Sequence, residues 1–478
     1  MWKKWLRKHN IECVLFLIFL AGMLSFVAMK GFWYDEIVML GFLSRPKLTD
    51  LFPIYSGMEV SNLPLYAVFM WLIYHIFPAH NLFLLLPGIL MTAAGVWLLS
   101  LIAAKRMGRA ASVSVILLSI FSTTVVIRIG LELRAYCLMF FAVCLVLYSY
   151  LKEGKKETGL FLLRLLASLC LIYSHYYGVL FFALWGVVSL IQCIRKAWPW
   201  KKLIPQICAG LMFLPWFLHT AKNAFGKAGG FWIEAPSFRR IPEAFGYLMG
   251  SSLPMLILYA LCCIFVFLHI IKNKKYLSME SFCLFAPYVV VLGMFVYSRY
   301  LSGGGGLFLN KYFTAVLPCV LYTTAAGIQL SCAFLWKKKH LAAILWMAAM
   351  IPALYFSART MHYERSHIRY SRYSGCAKIL REAGDLSDPR TMFFLTYHDD
   401  FEGLSVIGMY DYYLLRRGTE AVNMECFDIH DLQDKMDALE NIDKVYVFCD
   451  DDMVEYDESA YRCIWQDGYY CLTIFEKR

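Results

Sequence analysis

Long apolar runs constrain this chain more than any other feature. A helix of about 20 apolar residues crosses the hydrocarbon core of a bilayer. In a chain of 478 residues that is 60% hydrophobic and only 17% charged, such runs predict a polytopic membrane protein with a mainly α fold. We count about twelve runs: 11–29, 63–77, 82–103, 111–128, 134–151, 160–174, 176–194, 203–219, 251–271, 282–298, 312–332 and 341–357. No small-residue cleavage site follows Met29, so the first run is predicted to remain as a span.

Clusters of Lys and Arg lie at the ends of alternate spans. Short cytoplasmic loops collect basic residues, so this alternation predicts a cytoplasmic N-terminus. The tail after residue 357 is then predicted outside the cytoplasm, with the loops 30–62, 128–134, 174–176, 219–250 and 299–311. The clusters are Lys3-Lys4 with Arg7-Lys8, Lys105-Arg106 with Arg109, Lys152 with Lys155-Lys156, Arg195-Lys196 with Lys201-Lys202, Lys272 with Lys274-Lys275, and Lys337-Lys338-Lys339.

The charge divides the chain into two predicted domains. Residues 1–357 hold 32 basic and 11 acidic residues, whereas residues 358–478 hold 14 basic and 24 acidic residues. The positive part carries the topological signal and does not imply nucleic-acid binding. The acidic tail is predicted to be a separate, small extracytoplasmic α/β domain of about 120 residues. Apolar runs predict strands at 391–396 and 444–449, helices at 376–383 and 428–439, and a closing hairpin from 461–465 and 470–475.

Two further patterns bear on the compartment. The tail contains five cysteines, an odd number without tight spacing, which gives little support for a disulfide framework or a zinc site. The chain has no Asn-x-Ser/Thr sequon, which favours a bacterial cell membrane over a eukaryotic secretory pathway.

Polar residues at the outer ends of the spans form a short set. The first outer loop contributes the adjacent acids Asp35 and Glu36, followed by Glu59. Later outer positions contribute Arg128, Glu132, Arg134 and Tyr136, then His175, and finally Arg299, Lys311 and Tyr312. Ionisable groups near a membrane are costly and mark functional sites. One carboxylate can deprotonate an attacking hydroxyl, and cations can hold a phosphate leaving group, so the set suits group transfer from a lipid-linked phosphate.

Five short motifs in the order of the spans resemble the C-type membrane glycosyltransferases, close to the protein mannosyltransferase and aminoarabinose transferase group (family 39-like). The likeness covers about residues 10–330. The motifs are Asp35-Glu36, Pro64-Leu65-Tyr66, Arg134-Ala135-Tyr136, His175-Tyr176, and Lys311-Tyr312 with Pro318.

The resemblance implies a C-type helical bundle, a polyprenyl-phosphate sugar donor used on the outer face, and inversion at the sugar. It also implies that Asp35 is the catalytic base. Two departures leave the sugar and the acceptor open: Asn62-Leu63 precedes the Pro-Leu-Tyr motif where relatives often have His or Lys, and Lys311 replaces an Arg. Lysine keeps the charge but loses the bidentate fork of arginine.

Several of these residues have a second interpretation. Glu36 can assist catalysis or orient the loop, and Glu59 can be a second acid or part of a divalent-cation site. Arg134 can bind phosphate or snorkel to the interface, and His175 can act on substrate or pack in an aromatic belt. The run Ser302 to Gly306 lacks the strand and the Lys-Ser/Thr of a nucleotide loop, so we interpret it as an outer loop.

The sequence therefore predicts a membrane glycosyltransferase with its active-site loop at 30–62. Asp35 and Glu36 are the predicted catalytic residues. The donor is a polyprenyl-phosphate sugar, the acceptor is a cell-envelope polymer, lipid or protein, and no cofactor is specified. Substrate binding is predicted for Glu59, Arg134, Tyr136, His175, Lys311 and Tyr312. The alternative is a transporter of lipid-linked sugar, but transporters tend to show internal repeats and midplane charges, which are not apparent in this sequence.

Overall fold

The chain forms two compact units in a computed structural model. The first unit comprises Met1–Val27, Tyr55–Tyr66 and Leu85–Ser366, and the second comprises Ala28–Ile54, Ala67–Leu84 and His367–Arg478. The structure describes residues 10–53, 63–152, 157–226, 233–302, 307–335, 339–367, 371–398, 400–449, 460–467 and 471–478. The second unit thus takes in two segments from the N-terminal part of the chain, while the boundary at residue 357 stays a prediction.

The described part is mostly helical. Its α-helices, in chain order, are α1 (Asn10–Ser25), α2 (Tyr34–Leu43), α3 (Pro64–Ile76), α4 (Asn81–Arg106), α5 (Arg109–Ile120), α6 (Tyr136–Leu151), α7 (Glu157–Ile172), α8 (Tyr176–Ile194), α9 (Ile204–Gly226), α10 (Arg240–Leu248), α11 (Leu253–Lys272), α12 (Met279–Val296), α13 (Leu317–Leu335), α14 (Lys339–His367), α15 (Arg372–Ala383), α16 (Asp400–Met409) and α17 (Leu432–Asp437).

Seven helical segments in the described residues are long and apolar enough to cross a membrane. They are Asn10–Met29, Asn81–Arg106, Tyr176–Ile194, Trp200–Thr220, Leu253–Lys272, Met279–Leu301 and Asn310–Ala333. Three further apolar helices, α3, α5 and α6, have 10–17 residues. At 1.5 Å per residue, the 13 residues of α3 span only about 20 Å, short of the roughly 30 Å hydrocarbon core. A multi-pass helical bundle is confirmed, and the count of twelve spans stays a prediction.

Two features explain how the helices of the first unit end and pack. A π-helical turn at Thr124–Ile129 follows α5, and another at Tyr297–Leu301 follows α12. Helices α11 and α13 approach closely at Gly327, where an added Cβ would lie 2.3 Å from the Cβ of Cys262. Small residues allow such close contacts between apolar helices in lipid, where water expulsion provides no driving force.

The second unit contains a five-stranded mixed sheet in the order β2-β1-β3-β5-β4. Strand β1 pairs in parallel with both β2 and β3, and β5 pairs antiparallel with β3 and β4. The parallel pairs require crossovers, which the chain makes through α16 and α17. The strands are β1 (Thr391–Tyr397), β2 (Asn423–Asp428), β3 (Lys444–Cys449), β4 (Tyr461–Asp467) and β5 (Leu472–Lys477).

The predicted α/β character of the tail is confirmed. Strands β1 and β3 fall on the two predicted apolar runs, and β4 and β5 form the predicted closing hairpin. Apolar residues from both central strands, including Phe394, Val445 and Val447, bury a core on one face of the sheet. The sequence prediction missed β2 and helix α16, and the predicted helix at 428–439 shortens to α17 after a 3-10 turn at Ile429–Asp431.

Candidate active site

The acidic pair opens helix α2 in the second unit. Asp35 is the second helical residue and is half-buried, while Glu36 is the third and is fully buried. The Trp33 backbone N–H donates to Oε2 of Glu36 over 3.1 Å. This is the glutamate half of a capping box, in which the third residue of a helix reaches back to the cap. The two acids therefore have different surroundings, and only Asp35 is partly open to solvent.

Glu36 forms a buried ion pair with Lys30. The Lys30 ammonium donates to Oε2 of Glu36 and also to the Gly31 carbonyl oxygen over 2.9 Å. The side chain of Lys30 is 6% exposed and that of Glu36 is 0% exposed. A buried carboxylate needs such a partner, because burying an isolated charge costs several kcal/mol. These contacts are those of a residue that orients the loop. The catalytic role predicted for Glu36 stays a prediction.

Side chains of the second unit clamp the segment that leads into α2. Nδ2 of Asn81 donates to the Lys30 carbonyl oxygen over 2.6 Å, and the Tyr412 hydroxyl donates to Oδ1 of Asn81 over 2.8 Å. The Phe32 N–H donates to the Tyr413 hydroxyl oxygen over 3.3 Å, and the Ser371 hydroxyl donates to the Phe32 carbonyl oxygen. The backbone just before Asp35 is thus hydrogen-bonded at Lys30 by Asn81, and at Phe32 by two side chains from the C-terminal part of the chain.

Helix α2 packs backbone to backbone on α16. An added Cβ at Gly41 would lie 2.0 Å from the Leu404 carbonyl oxygen, and one at Gly408 would lie 2.3 Å from the Ile37 carbonyl oxygen. Real Cβ atoms do not approach backbone oxygens so closely, so only glycine fits at both positions. This contact holds the helix that carries Asp35 against a helix almost 370 residues later in the chain.

Five of the predicted binding residues come together in the first unit. The rings of Tyr136 and His175 lie 5.7 Å apart, and those of His175 and Tyr312 lie 5.1 Å apart. Arg134 and Lys311 are both close enough to His175 for their charges to lower the pKa of its imidazole. Arg134, Tyr136, His175 and Tyr312 are each less than 10% exposed. We call these five residues the cationic-aromatic cluster; they come from three separate stretches of the chain, around Arg134, His175 and Lys311.

His175 has a defined orientation within the cluster. It is the cap of α8, and its Nδ1 accepts the Tyr177 backbone N–H over 3.1 Å. A neutral imidazole that accepts at Nδ1 carries its proton on Nε2, which has no hydrogen-bond partner among the described residues. Burial, with the charges of Arg134 and Lys311, lowers the pKa of His175 to about 3. His175 precedes the span that begins at Tyr176 and is neutral at physiological pH.

Neighbouring segments brace the cluster. The Leu63 N–H donates to the Ser174 carbonyl oxygen over 3.4 Å, which joins the start of the Pro-Leu-Tyr motif to the residue before His175. The Tyr177 hydroxyl donates to the Leu307 carbonyl oxygen over 2.6 Å, which joins α8 to the segment leading to Lys311. The four motifs of the first unit that carried the resemblance are therefore neighbours in space as well as ordered along the chain.

Other polar residues of the outer set have partners elsewhere. Arg128 pairs with Glu364 over 3.0 Å and lies 4.9 Å from the ring of Tyr247. Arg299 donates to the Pro236 carbonyl oxygen over 2.8 Å. Glu132 is half-buried, and Glu59 lies outside the described residues. Within the described part of the chain, no group of three or more His, Cys, Asp or Glu side chains could hold a metal ion.

The sequence analysis missed the partners of the acid pair. Lys30 stands six residues before Glu36, but nothing in the pattern shows that its side chain turns back to the helix. Tyr412 and Tyr413 lie in the acidic tail, in a dense aromatic run from Tyr410 to Tyr413 that could have drawn attention. That run forms a π-helical turn, Tyr410–Leu414, directly after α16.

Comparison with known proteins gives a likeness in structure alone. No family model and no curated protein sequence matches the chain. Two crystal structures of ArnT from Cupriavidus metallidurans, one bound to undecaprenyl phosphate and one in the apo state, each match with a TM-score of 0.58 and 11% sequence identity. Each match covers 97% of this chain and 97% of the other. The chain therefore has the fold of ArnT over nearly its whole length, and the resemblance to the C-type glycosyltransferases is confirmed at the level of the fold.

Proposed function

We propose that this protein is a membrane glycosyltransferase that moves a sugar from a polyprenyl-phosphate donor to an acceptor hydroxyl on the outer face of the membrane. The observation that carries the proposal is the convergence of Arg134, His175 and Lys311 with two tyrosines in a chain that has the ArnT fold. One of the two ArnT structures holds undecaprenyl phosphate, and a phosphate is the ligand that a pair of neighbouring cations suits best. The lipid class of the donor is carried over as part of the proposal.

Arg134 and Lys311 hold the donor phosphate in this proposal. The positive charges of Arg134 and Lys311 both act on His175, so a phosphate bound beside this imidazole lies within reach of both cations. The guanidinium of Arg134 can bind two phosphate oxygens in a fork, and Lys311 supplies a point charge. The neutral imidazole of His175 presents its Nε2–H as an uncharged donor, and Tyr136 and Tyr312 provide aromatic walls and hydroxyl groups for the sugar. We also propose Glu59 as a binding residue of the same site.

Asp35 is the proposed general base. It takes the proton of the acceptor hydroxyl as the hydroxyl oxygen attacks the anomeric carbon of the sugar. The bond from that carbon to the phosphate oxygen breaks, and its electron pair leaves with the polyprenyl phosphate, whose negative charge the cations stabilise. Attack opposite the leaving group inverts the anomeric carbon. A phosphate ester is a good leaving group, so no general acid is required, and Glu36 keeps the loop in place.

Reconstituted protein and a labelled polyprenyl-phosphate sugar test the proposal. Asp35→Asn should abolish release of free polyprenyl phosphate but retain binding of the lipid. Asp50→Asn is the matched control, because it makes the same change at a half-buried residue after α2 and should leave release unchanged. Full transfer by Asp35→Asn would remove the base assignment. Movement of intact labelled lipid across the bilayer without release would instead establish the transporter alternative.

We further propose that the protein lies in a bacterial cell membrane with its N-terminus in the cytoplasm and its C-terminal sheet outside. The support is the alternation of basic clusters between spans. Reporter fusions after Lys105 and at the C-terminus should report opposite sides of the membrane. Reporters on the same side would contradict this topology.

A further inference from the structure

Two cavities lie at the opposite end of the helices from the cationic-aromatic cluster. Helix α6 begins at Tyr136, in the cluster, and ends at Leu151, which lines the first cavity. Its 16 residues correspond to about 24 Å, so the cavities belong to a different site. The first cavity has a volume of about 360 Å³ and the second about 420 Å³, and Lys202 lines both.

Six basic side chains line the two cavities, with one carboxylate, Glu157. The basic residues are Lys105, Arg106, Lys152, Arg164, Lys201 and Lys202. Glu157 pairs with Lys201 over 2.9 Å, and Glu280 pairs with Arg106 over 2.8 Å. These six cations and two carboxylates leave a net charge of +4, so the cavities favour an anion.

Arg164 marks the second cavity as a binding site. Its side chain lines the cavity and the residue is 6% exposed, and a guanidinium carries five N–H donors. Among the described residues its side chain makes one hydrogen bond, to the Lys152 carbonyl oxygen over 3.3 Å, and it lies 5.2 Å from the ring of Tyr150. Its Nε has no partner among the described residues. Leaving a buried donor unsatisfied costs about 1–3 kcal/mol, which an anionic oxygen in the cavity would recover.

The walls of the cavities suit a lipid rather than a free ion. Trp198 stacks on Tyr150 with ring centroids 5.5 Å apart, and the Lys202 ammonium lies 5.0 Å from the Trp198 ring. Tryptophan and tyrosine with cations are typical of the headgroup region of a bilayer. Apolar side chains continue outward from the second cavity: Phe161 lines it, and Ile204, also in its lining, is 45% exposed. An acyl chain can lie along this surface while its phosphate meets the cations.

We propose that these two cavities bind the phosphate headgroup of an anionic membrane phospholipid at the basic end of the bundle. Basic pockets between membrane helices on the cytoplasmic side are known to take such headgroups. The tendency of short cytoplasmic loops to collect basic residues explains lysines that face solvent, but it does not explain the buried guanidinium of Arg164, which lines a cavity. The site is independent of the proposed sugar transfer.

Lipid binding by the full-length protein tests this site. The protein in detergent is mixed with equal amounts of phosphatidylglycerol and phosphatidylcholine, and the lipid that stays bound is measured by native mass spectrometry. We expect phosphatidylglycerol to be preferred, and Arg164→Gln with Lys202→Gln to lower that preference by about tenfold, since the loss of one charge-assisted hydrogen bond is worth at least 1.4 kcal/mol. Arg164→Lys should give an intermediate value, because lysine keeps the charge but not the fork.

The matched control is Lys272→Gln with Lys274→Gln, which removes the same charge from two exposed positions at the end of α11 that line neither cavity. The control should keep the preference of the unchanged protein. If Arg164→Gln prevents folding, Lys152→Gln with Lys202→Gln replaces it and should also lose the preference. Equal losses in the control and the cavity variants would overturn the proposal, as would no preference for phosphatidylglycerol. Displacement by inorganic phosphate with no lipid preference would overturn the lipid assignment.

Discussion

The buried Lys30–Glu36 pair gives the sharpest prediction about the acidic loop. Glu36→Gln removes one charge but keeps an oxygen that can accept the Trp33 N–H, since glutamine also serves in capping boxes. The change therefore isolates the ion pair from the cap. It leaves the Lys30 ammonium, 6% exposed, without its carboxylate.

The expected cost is large because breaking a buried pair on one side costs about 3–5 kcal/mol. The second unit has about 160 residues, a size at which 1 kcal/mol shifts the melting temperature by about 2–4 °C. Glu36→Gln should therefore lower the melting temperature of this unit by about 6–20 °C. Lys30→Met with Glu36→Gln removes both charges and should recover most of the loss, since apolar replacement of a buried pair is often neutral.

Thermal unfolding of the purified full-length protein, with sugar transfer measured at a temperature where each variant is folded, separates stability from chemistry. Asp50→Asn is the control for the loss of one acidic charge nearby. A melting temperature unchanged by Glu36→Gln, with transfer abolished, would refute the orienting role and make Glu36 a catalytic residue. A double variant as unstable as Glu36→Gln would refute the Coulombic explanation.

Three further predictions concern helix packing, protonation and the clamp. Gly408→Ala should lower the free energy of unfolding by about 1–3 kcal/mol, because its Cβ would lie 2.3 Å from a backbone oxygen. Gly403→Ala, in the same helix, has 3.6 Å of room and should raise the free energy of unfolding by about 0.5–1 kcal/mol. Equal effects of the two variants in denaturant unfolding would contradict the close helix contact. The pKa of His175 is about 3 in the folded protein and roughly 6.5 in the unfolded chain, so the unfolded chain binds more protons below pH 6.5. The free energy of unfolding should therefore fall by about 2 kcal/mol from pH 8 to pH 5. His175→Asn, which keeps the helix cap, should remove this contribution to the pH dependence of stability. Tyr413→Phe leaves the Phe32 N–H without its acceptor and should lower the free energy of unfolding by about 1–3 kcal/mol. It should also lower the kcat of sugar transfer while the KM for the donor stays unchanged. A raised KM with unchanged kcat would argue against a positioning role for Tyr413.

Much of the candidate binding site was predictable because membrane helices bring their ends to one of two surfaces. Arg134, His175 and Lys311 each stand at an end of an apolar run that the basic clusters predict to lie outside the cytoplasm, so the predicted topology already placed them on one face. Their grouping into one cluster depends on how the helices pack. The order of the short motifs along the chain, which resembles that of the C-type glycosyltransferases, was the sequence signal for it. Strands β1 and β3 were also predictable, because strands that are buried on both faces of a sheet appear in the sequence as continuous apolar runs.

The partners of Asp35 and Glu36 were not predictable from local patterns. The contact between Gly41 and Gly408 depends on tertiary packing, and the sequence around a single glycine in an apolar helix does not indicate which segment packs against it. Strand β2 was missed because Asn423, Glu425 and Asp428 make it polar, as befits the edge of a sheet. Helix α5 shows the same limit, since the apolar run 111–128 gives the length of sequence available for a helix but not the π-helical turn at Thr124–Ile129 that follows the end of α5 at Ile120.

The clamp on the acidic loop also sets an order of events during synthesis. Phe32 bonds to Ser371 and Tyr413, residues 339 and 381 positions later in the chain. At about 5–20 residues per second, a ribosome needs roughly 17–70 s to make the first of these partners after Phe32 has been made. During that interval the loop has left the ribosome without the side chains that hold its backbone. The hydrogen bonds that hold the backbone before Asp35 are therefore completed only after Tyr413 has been made, so in the proposed mechanism catalysis cannot begin before that residue has left the ribosome.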